Sequence, residues 1–140
     1  MNFHSRHFYN YKIMSEEKNY NILQGIKFEH LQTIDVGNIV EENKEKWINH
    51  TLTKVNDSLV RLAIIEGEFH WHKHDNEDEF FFVLEGKLFM DIEENGVRRT
   101  VELNPMQGIT ISKGVMHCPR APQKTVIMLF ENDGIISTGD

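Results

Sequence analysis

Residues Glu68 to Gly86 read EFHWHKHDNEDEFFFVLEG. His70, His72 and His74 alternate along this stretch, and Glu77, Asp78 and Glu79 follow them. Imidazole is the commonest metal-ligand side chain, and a carboxylate adds a hard, anionic donor. In a strand, residues two apart project from the same face, so the three histidines share one face and Phe69, Trp71 and Lys73 take the other. Two or three imidazoles would then lie within reach of one ion. Glu79 competes with Asp78 and Glu77 for the carboxylate role, and its spacing favours it.

Gly67, His72, His74, Glu79 and Gly86 fall in the pattern G-x4-H-x-H-x4-E-x6-G. This resembles the first motif of the cupin superfamily, with one residue fewer after the first glycine. Further along, LNPMQGITISKGVMHCP (Leu103 to Pro119) resembles the second motif, whose usual form is roughly P-G-D-x4-P-x-G-x2-H. Pro105, Gly114 and His117 are kept. Met106 replaces the usual glycine, Ser112 the proline, and Ala121 stands where an asparagine is often found; these departures touch turns rather than ligands. Together the motifs span about residues 58–131, and the whole chain is similar to small stand-alone cupins.

The resemblance implies an all-β, double-stranded β-helix barrel of the jelly-roll type. It also implies one divalent metal (Fe, Mn, Ni, Cu or Zn) held inside by His72, His74, Glu79 and His117. Alternation alone reaches the first three ligands and not His117. Four protein ligands on an octahedral ion leave two positions for water, substrate or O2. His70 shares the ligand face one strand step earlier, so it is either a barrel-lining residue bonded to a neighbour or a general acid/base beside a bound substrate. Cys118 should point away from its neighbour His117 as a small buried hydrophobe.

If Glu79 faces inward, Phe81 and Val83 line the same cavity, with Met90 nearby. Phe80, Phe82 and Leu84 then face outward and need cover, most simply from a second copy in a homodimer. Such a cavity suits a small ligand with a chelating head. Two function classes follow. One is a metal-dependent enzyme of the oxygenase or isomerase type, and the other a metal-containing protein that binds a sugar, carboxylate or thiol without turning it over.

Composition bounds these readings. The chain has 140 residues, 39% of them hydrophobic and 26% charged, which fits one globular domain. Lys plus Arg number 15 against 22 Asp plus Glu, a net charge of −7 that disfavours nucleic acid and anionic membranes as partners. No apolar run approaches the ~20 residues of a bilayer span. The single cysteine excludes an intramolecular disulfide and fits a reducing cytoplasm.

The elements that must position the site read as follows. Residues 1–20, containing His4, His7, Phe8, Tyr9 and Tyr11, form an N-terminal extension or arm, with Met14 as a plausible second start; residues 21–140 are the single barrel domain. Ile26 to Ile34 fits a short helix, because Ile26, Leu31 and Ile34 fall roughly on one side. Strands are expected at 50–55, 58–66, 69–74, 79–84, 87–93, 97–103, 108–112, 115–118 and 124–131. Asn56-Asp57 and Asn95-Gly96 mark turns between them, the latter a tight hairpin.

Overall fold

The computed structural model describes residues 10–15 and 18–140, with side chains from residue 20 onward. Residues 1–9, with His4, His7, Phe8 and Tyr9, lie outside the described residues, as does the side chain of Tyr11. The described elements run β1 (Asn10–Ser15), β2 (Lys18–Ile26), α1 (Val36–Glu42), β3 (Trp47–Val55), β4 (Ser58–Glu68), β5 (Glu79–Glu85), β6 (Leu88–Glu94), β7 (Val97–Leu103), β8 (Gly108–Ile111) and β9 (Met116–Asn132). The strands join in the order β1-β2-β3-β4-β9-β5-β8, and β6 pairs with both β7 and β9. The result is the jelly-roll barrel.

The long strand β9 is the hub. Its first residues pair with β6, from Glu93↔Met116 to Phe89↔Arg120. Its later residues lie between β4 and β5. Sequence reading splits this strand in two because Pro119 and Pro122 cannot donate to a ladder. The chain instead continues past both, with a register shift opposite Ile65 to Gly67. A bulge of this kind lets a strand bend without ending.

Strand alternation sorts the residues of the barrel. Ala63, Ile65, Phe81, Val83, Met90, Ile127 and Leu129 pack into one buried cluster inside it. Their neighbours Leu62, Ile64 and Val126 face the opposite way into a second cluster. Phe28, Ile34, Val36, Ile39 and Val40 cover that second cluster, so the outer face is sealed by the chain itself. Leu84 falls under this cover. Phe80 and Phe82 do not: their rings stack with centroids 6.2 Å apart, and Phe130 beside them is 40% exposed.

The helix lies later than 26–34. Ile26 ends β2, and the amides of Lys27 and Phe28 still bond along β3, to the carbonyls of Thr51 and Leu52 at 2.9 Å. Leu31 adopts a left-handed φ of 71° and is fully exposed, so the apolar spacing there has no helical face to serve. The true start is Asp35, whose carboxylate accepts the amide of Asn38 at 3.0 Å. Val36, Ile39 and Val40 then give the i, i+3, i+4 stripe that docks on the sheet.

One turn matches its residue types and another departs from them. Asn95 and Gly96 both have positive φ, 51° and 75°, as a two-residue hairpin of this twist requires. Met106 stands where the second motif usually has glycine and holds a left-handed φ of 70°. Its amide donates to the carbonyl of Val83 at 2.8 Å, which holds the turn against β5.

Gly86 closes the turn after β5 at φ 82°, and a Cβ there would meet Thr125 Oγ1 at 2.5 Å and the Lys124 carbonyl at 2.6 Å. Gly86→Ala is therefore expected to destabilise the barrel by about 1–3 kcal/mol. The check is a fall in urea midpoint at unchanged m-value.

Candidate metal centre

Residues 69–74 do not form a regular strand. An isolated bridge joins His72 to His117 of β9. The His72 amide donates to the His117 carbonyl at 3.0 Å, and the His117 amide returns the bond at 2.8 Å. This exchange brings two side chains from distant parts of the sequence side by side, with ring centroids 4.2 Å apart. His74 is fixed by the next contact, from the Gly114 amide to its carbonyl at 2.7 Å. Gly114 can sit in that turn because it tolerates a φ of 81°.

Glu79 opens β5 and faces inward with Phe81 and Val83. One ligand atom from each of His72, His74, Glu79 and His117 lies within 4.8 Å of all the others, and all four residues are buried. Glu79 Oε2 is 3.4 Å from His74 Nε2, and its Oε1 is 3.8 Å from His117 Nε2. Asp78 lies outside this group: it accepts the Lys113 amide at 2.9 Å. Glu77 is also outside it.

The ring nitrogens fit a metal. His72 Nδ1 donates to the His70 carbonyl and His117 Nδ1 to the Val115 carbonyl, both at 2.9 Å. These bonds place the proton on Nδ1 and leave Nε2 as a lone-pair donor. Nε2 of His117 and both ring nitrogens of His74 are buried with no hydrogen-bond partner among the described residues. Buried polar atoms left this way are costly, and an ion would satisfy the Nε2 pair.

Electrostatics favour the ligating forms of His72 and Glu79 and oppose that of His74. Burial, then the neighbouring His117, lowers the pKa of His72 to about 3, so it stays neutral. Burial also acts to lower His74, but the close contact and charge of Glu79 outweigh it and raise the pKa. For Glu79, burial alone would raise the pKa; its contacts with Glu131, His117 and His74 prevail and keep it ionised.

Behind the ligands lies a buried polar group that alternation along β4 and β9 could have located. Arg61 shares the inner face with Ala63 and Ile65, and Glu131 shares it with Ile127 and Leu129. Arg61 Nη1 donates to Glu131 at 3.0 Å and to the Ser137 hydroxyl at 2.6 Å. Burial and the charge of Glu79 push the Glu131 carboxyl well above its ordinary range, against the pull of Arg61. A charged residue at an inward-facing strand position was the available signal.

A cavity of about 40 Å³ opens beside the centre, lined by His72, Glu79, Phe81, Glu131, Ser137 and the amide of Asn49 among mainly apolar walls. That exceeds the ~10–15 Å³ one water needs, so the space holds a few waters or a group of that size. Val83 and Met90 are not among its lining residues; both are fully buried in the apolar cluster. His70 is exposed, and its Nε2 bonds the Thr138 carbonyl at 2.7 Å. Because the stretch is not a regular strand, His70 does not share the ligands' inward face. Cys118 is buried on the side of β9 away from His117, with Sγ 3.1 Å from the Phe69 carbonyl.

Comparison with known proteins agrees with this arrangement. The cupin domain family model matches residues 58–131, and the chain belongs to that family. It is 39% identical over 94 residues to the uncharacterized protein YdbB of Bacillus subtilis, covering 67% of this chain and 80% of YdbB. A cupin-2 domain containing protein from Shewanella frigidimarina superposes with a TM-score of 0.65 at 30% identity, over 71% of this chain and 94% of that one. The hydroquinone 1,2-dioxygenase of Sphingomonas sp. TTNP3, with 4-hydroxybenzoate bound, gives a TM-score of 0.65 at 18% identity. That match covers 74% of this chain and 32% of the dioxygenase, and it speaks for the fold alone.

Two expectations follow. His72→Ala should lose most bound metal by elemental analysis. It should also lose the metal-linked stability, about 2.7 kcal/mol when free metal is 100-fold above Kd. Metal loading of the wild type should fall with pH, and His74 sets the window. Its raised pKa means a proton competes for the ring above pH 6.5, while His72 stays neutral and Glu79 charged over the same range. Apparent affinity should drop about tenfold per pH unit below the His74 pKa, seen as metal release in dialysis from pH 8 to 5.

Proposed function

We propose that this chain binds one divalent transition metal through His72, His74, Glu79 and His117, and is a metal-dependent enzyme of the oxygenase or isomerase type acting on a small chelating substrate. The observation that carries this reading is the convergence of four buried ligand atoms within 4.8 Å at the wall of a cavity. Three neutral imidazoles and one carboxylate suit Fe, Mn, Ni, Cu or Zn. A bound ion would supply Lewis acidity and a template for the substrate.

The chain's own residues do the rest. The carbonyls of His70 and Val115 hold the two imidazoles in one tautomer. Phe81, Ile65, Ile127 and Leu129 exclude water from the apolar end of the cavity. Glu131, held between Arg61 and Glu79, can keep a proton on a carboxyl at the cavity wall. The expected homodimer stays part of the proposal: Phe80, Phe82 and Phe130 form the aromatic patch left after the chain has covered Leu84.

A second reading, a metal-containing binding protein without turnover, is favoured by the position of His70. His70, read either as a residue bonded to a neighbour or as an acid/base, is turned outward, with its Nε2 on the Thr138 carbonyl. Two parallel screens separate the readings: O2 uptake by iron-loaded protein over thiols, diketones and catechols, and anaerobic NMR of sugars and enolisable ketones. The enzyme reading expects turnover with one class that His117→Ala abolishes. Ligand-induced thermal stabilisation with no turnover in either screen would decide for the binding protein.

A further inference from the structure

The last residues of the chain run across the ligand loop rather than away from the barrel. The Thr138 carbonyl accepts His70 Nε2 at 2.7 Å. The Asp140 amide donates to the Lys73 carbonyl at 2.9 Å, and its carboxylate accepts the Asp75 amide. Between them Gly139, at φ 94°, lies so close to His72 that a Cβ there would stand 2.7 Å from His72 Cβ and 3.2 Å from its Cδ2. Ser137, the first residue of the run, lines the cavity and takes a hydrogen bond from buried Arg61.

We infer that Ser137–Asp140 is a strap that positions the metal ligands, and that His70, Gly139 and Asp140 are its positioning residues. The inference rests on the metal-centre reading above. Residues 69–74 have no continuous strand partner: the Phe69 amide bonds the Pro119 carbonyl, and the bridge to His117 and the Gly114 contact hold the backbone of His72 and the carbonyl of His74. The strap supplies the rest. By fixing the His70 side chain it fixes the residue whose carbonyl orients His72 Nδ1, and through Gly139 it sets the space behind the His72 ring. A side chain at 139 would push that ring toward the ion site. The same four residues place the Ser137 hydroxyl in the cavity wall, so ligand geometry and cavity shape are set by one segment.

Full-length His70→Ala, His70→Gln and Gly139→Val proteins test this with two readouts. The first is affinity for Co(II), titrated into metal-free protein and followed by the visible absorption of the bound ion, which also reports its geometry. The second is amide hydrogen exchange at Asp75 and Gly114 in metal-free protein. Gly139→Val and His70→Ala are expected to weaken Co(II) binding about 10–100-fold, the range for residues that orient ligands. They should alter the Co(II) spectrum and speed exchange at both amides. His70→Gln, whose amide N–H can replace the bond to Thr138, should restore most of the affinity. His70 is exposed, so its variants should fold even if Gly139→Val does not. Wild-type affinity and spectrum in His70→Ala would overturn the inference. Failure of the wild type to take up Co(II) would instead overturn the metal-centre reading, and the inference with it, whereas unchanged exchange would show that the strap holds nothing.

Discussion

The pair of backbone hydrogen bonds between His72 and His117 is the constraint on which the site depends. The loop of ten residues between β4 and β5, 69–78, would be free to wander over the barrel mouth, and ordering it costs roughly 1–2 kcal/mol per residue in backbone entropy. The bridge pins that loop to β9, the strand that already holds β4, β5 and β6 together. Two ligands therefore inherit the rigidity of the hub strand, although only one of them belongs to it. Glu79 draws on the same source, because β5 pairs with β9 as well.

Burying polar groups beside an apolar core requires compensation, and the barrel supplies it in layers. Arg61 and Glu131 have almost no exposed side-chain surface and pair at 3.0 Å, yet Arg61 Nε and Nη2 find no partner among the described residues. A buried Arg–carboxyl pair of this kind, its carboxyl pushed toward the neutral form by burial and Glu79, is weak evidence for stability, since desolvation offsets much of the attraction. Replacing it with aliphatic residues would be the simpler solution for a barrel that only had to fold. Its place between the ligand Glu79 and the cavity argues that the interior is polarised for the site.

Much of this was legible in the residues. The spacing from His72 to Glu79 picked out three of the four buried donor groups that converge, and the second motif supplied His117, which no local periodicity reaches. Strands such as 97–103 could be read because their turn residues, Asn95-Gly96 and Asn104-Pro105, leave few alternatives. What escaped was decided by tertiary contact. Residues 26–34 have apolar spacing compatible with a helix, but pairing with β3 captures the first part and the cap at Asp35 delays the helix. His70 looked equivalent to His72 and His74 because alternation was assumed to hold. The chain leaves strand geometry there, and His70 turns outward to the C-terminal segment.

That outward turn bears on what kind of protein this is. One reading of the three alternating histidines is two ligands and a proton carrier, but His70 has its Nε2 engaged at the surface. The titratable group placed at the cavity wall is Glu131, brought in by a distant strand and held by Arg61. A site that only sequestered a ligand would need the four metal ligands and the apolar walls. Glu131 adds to these a buried carboxyl held toward its protonated form beside Glu79, which is the feature the enzyme proposal draws on.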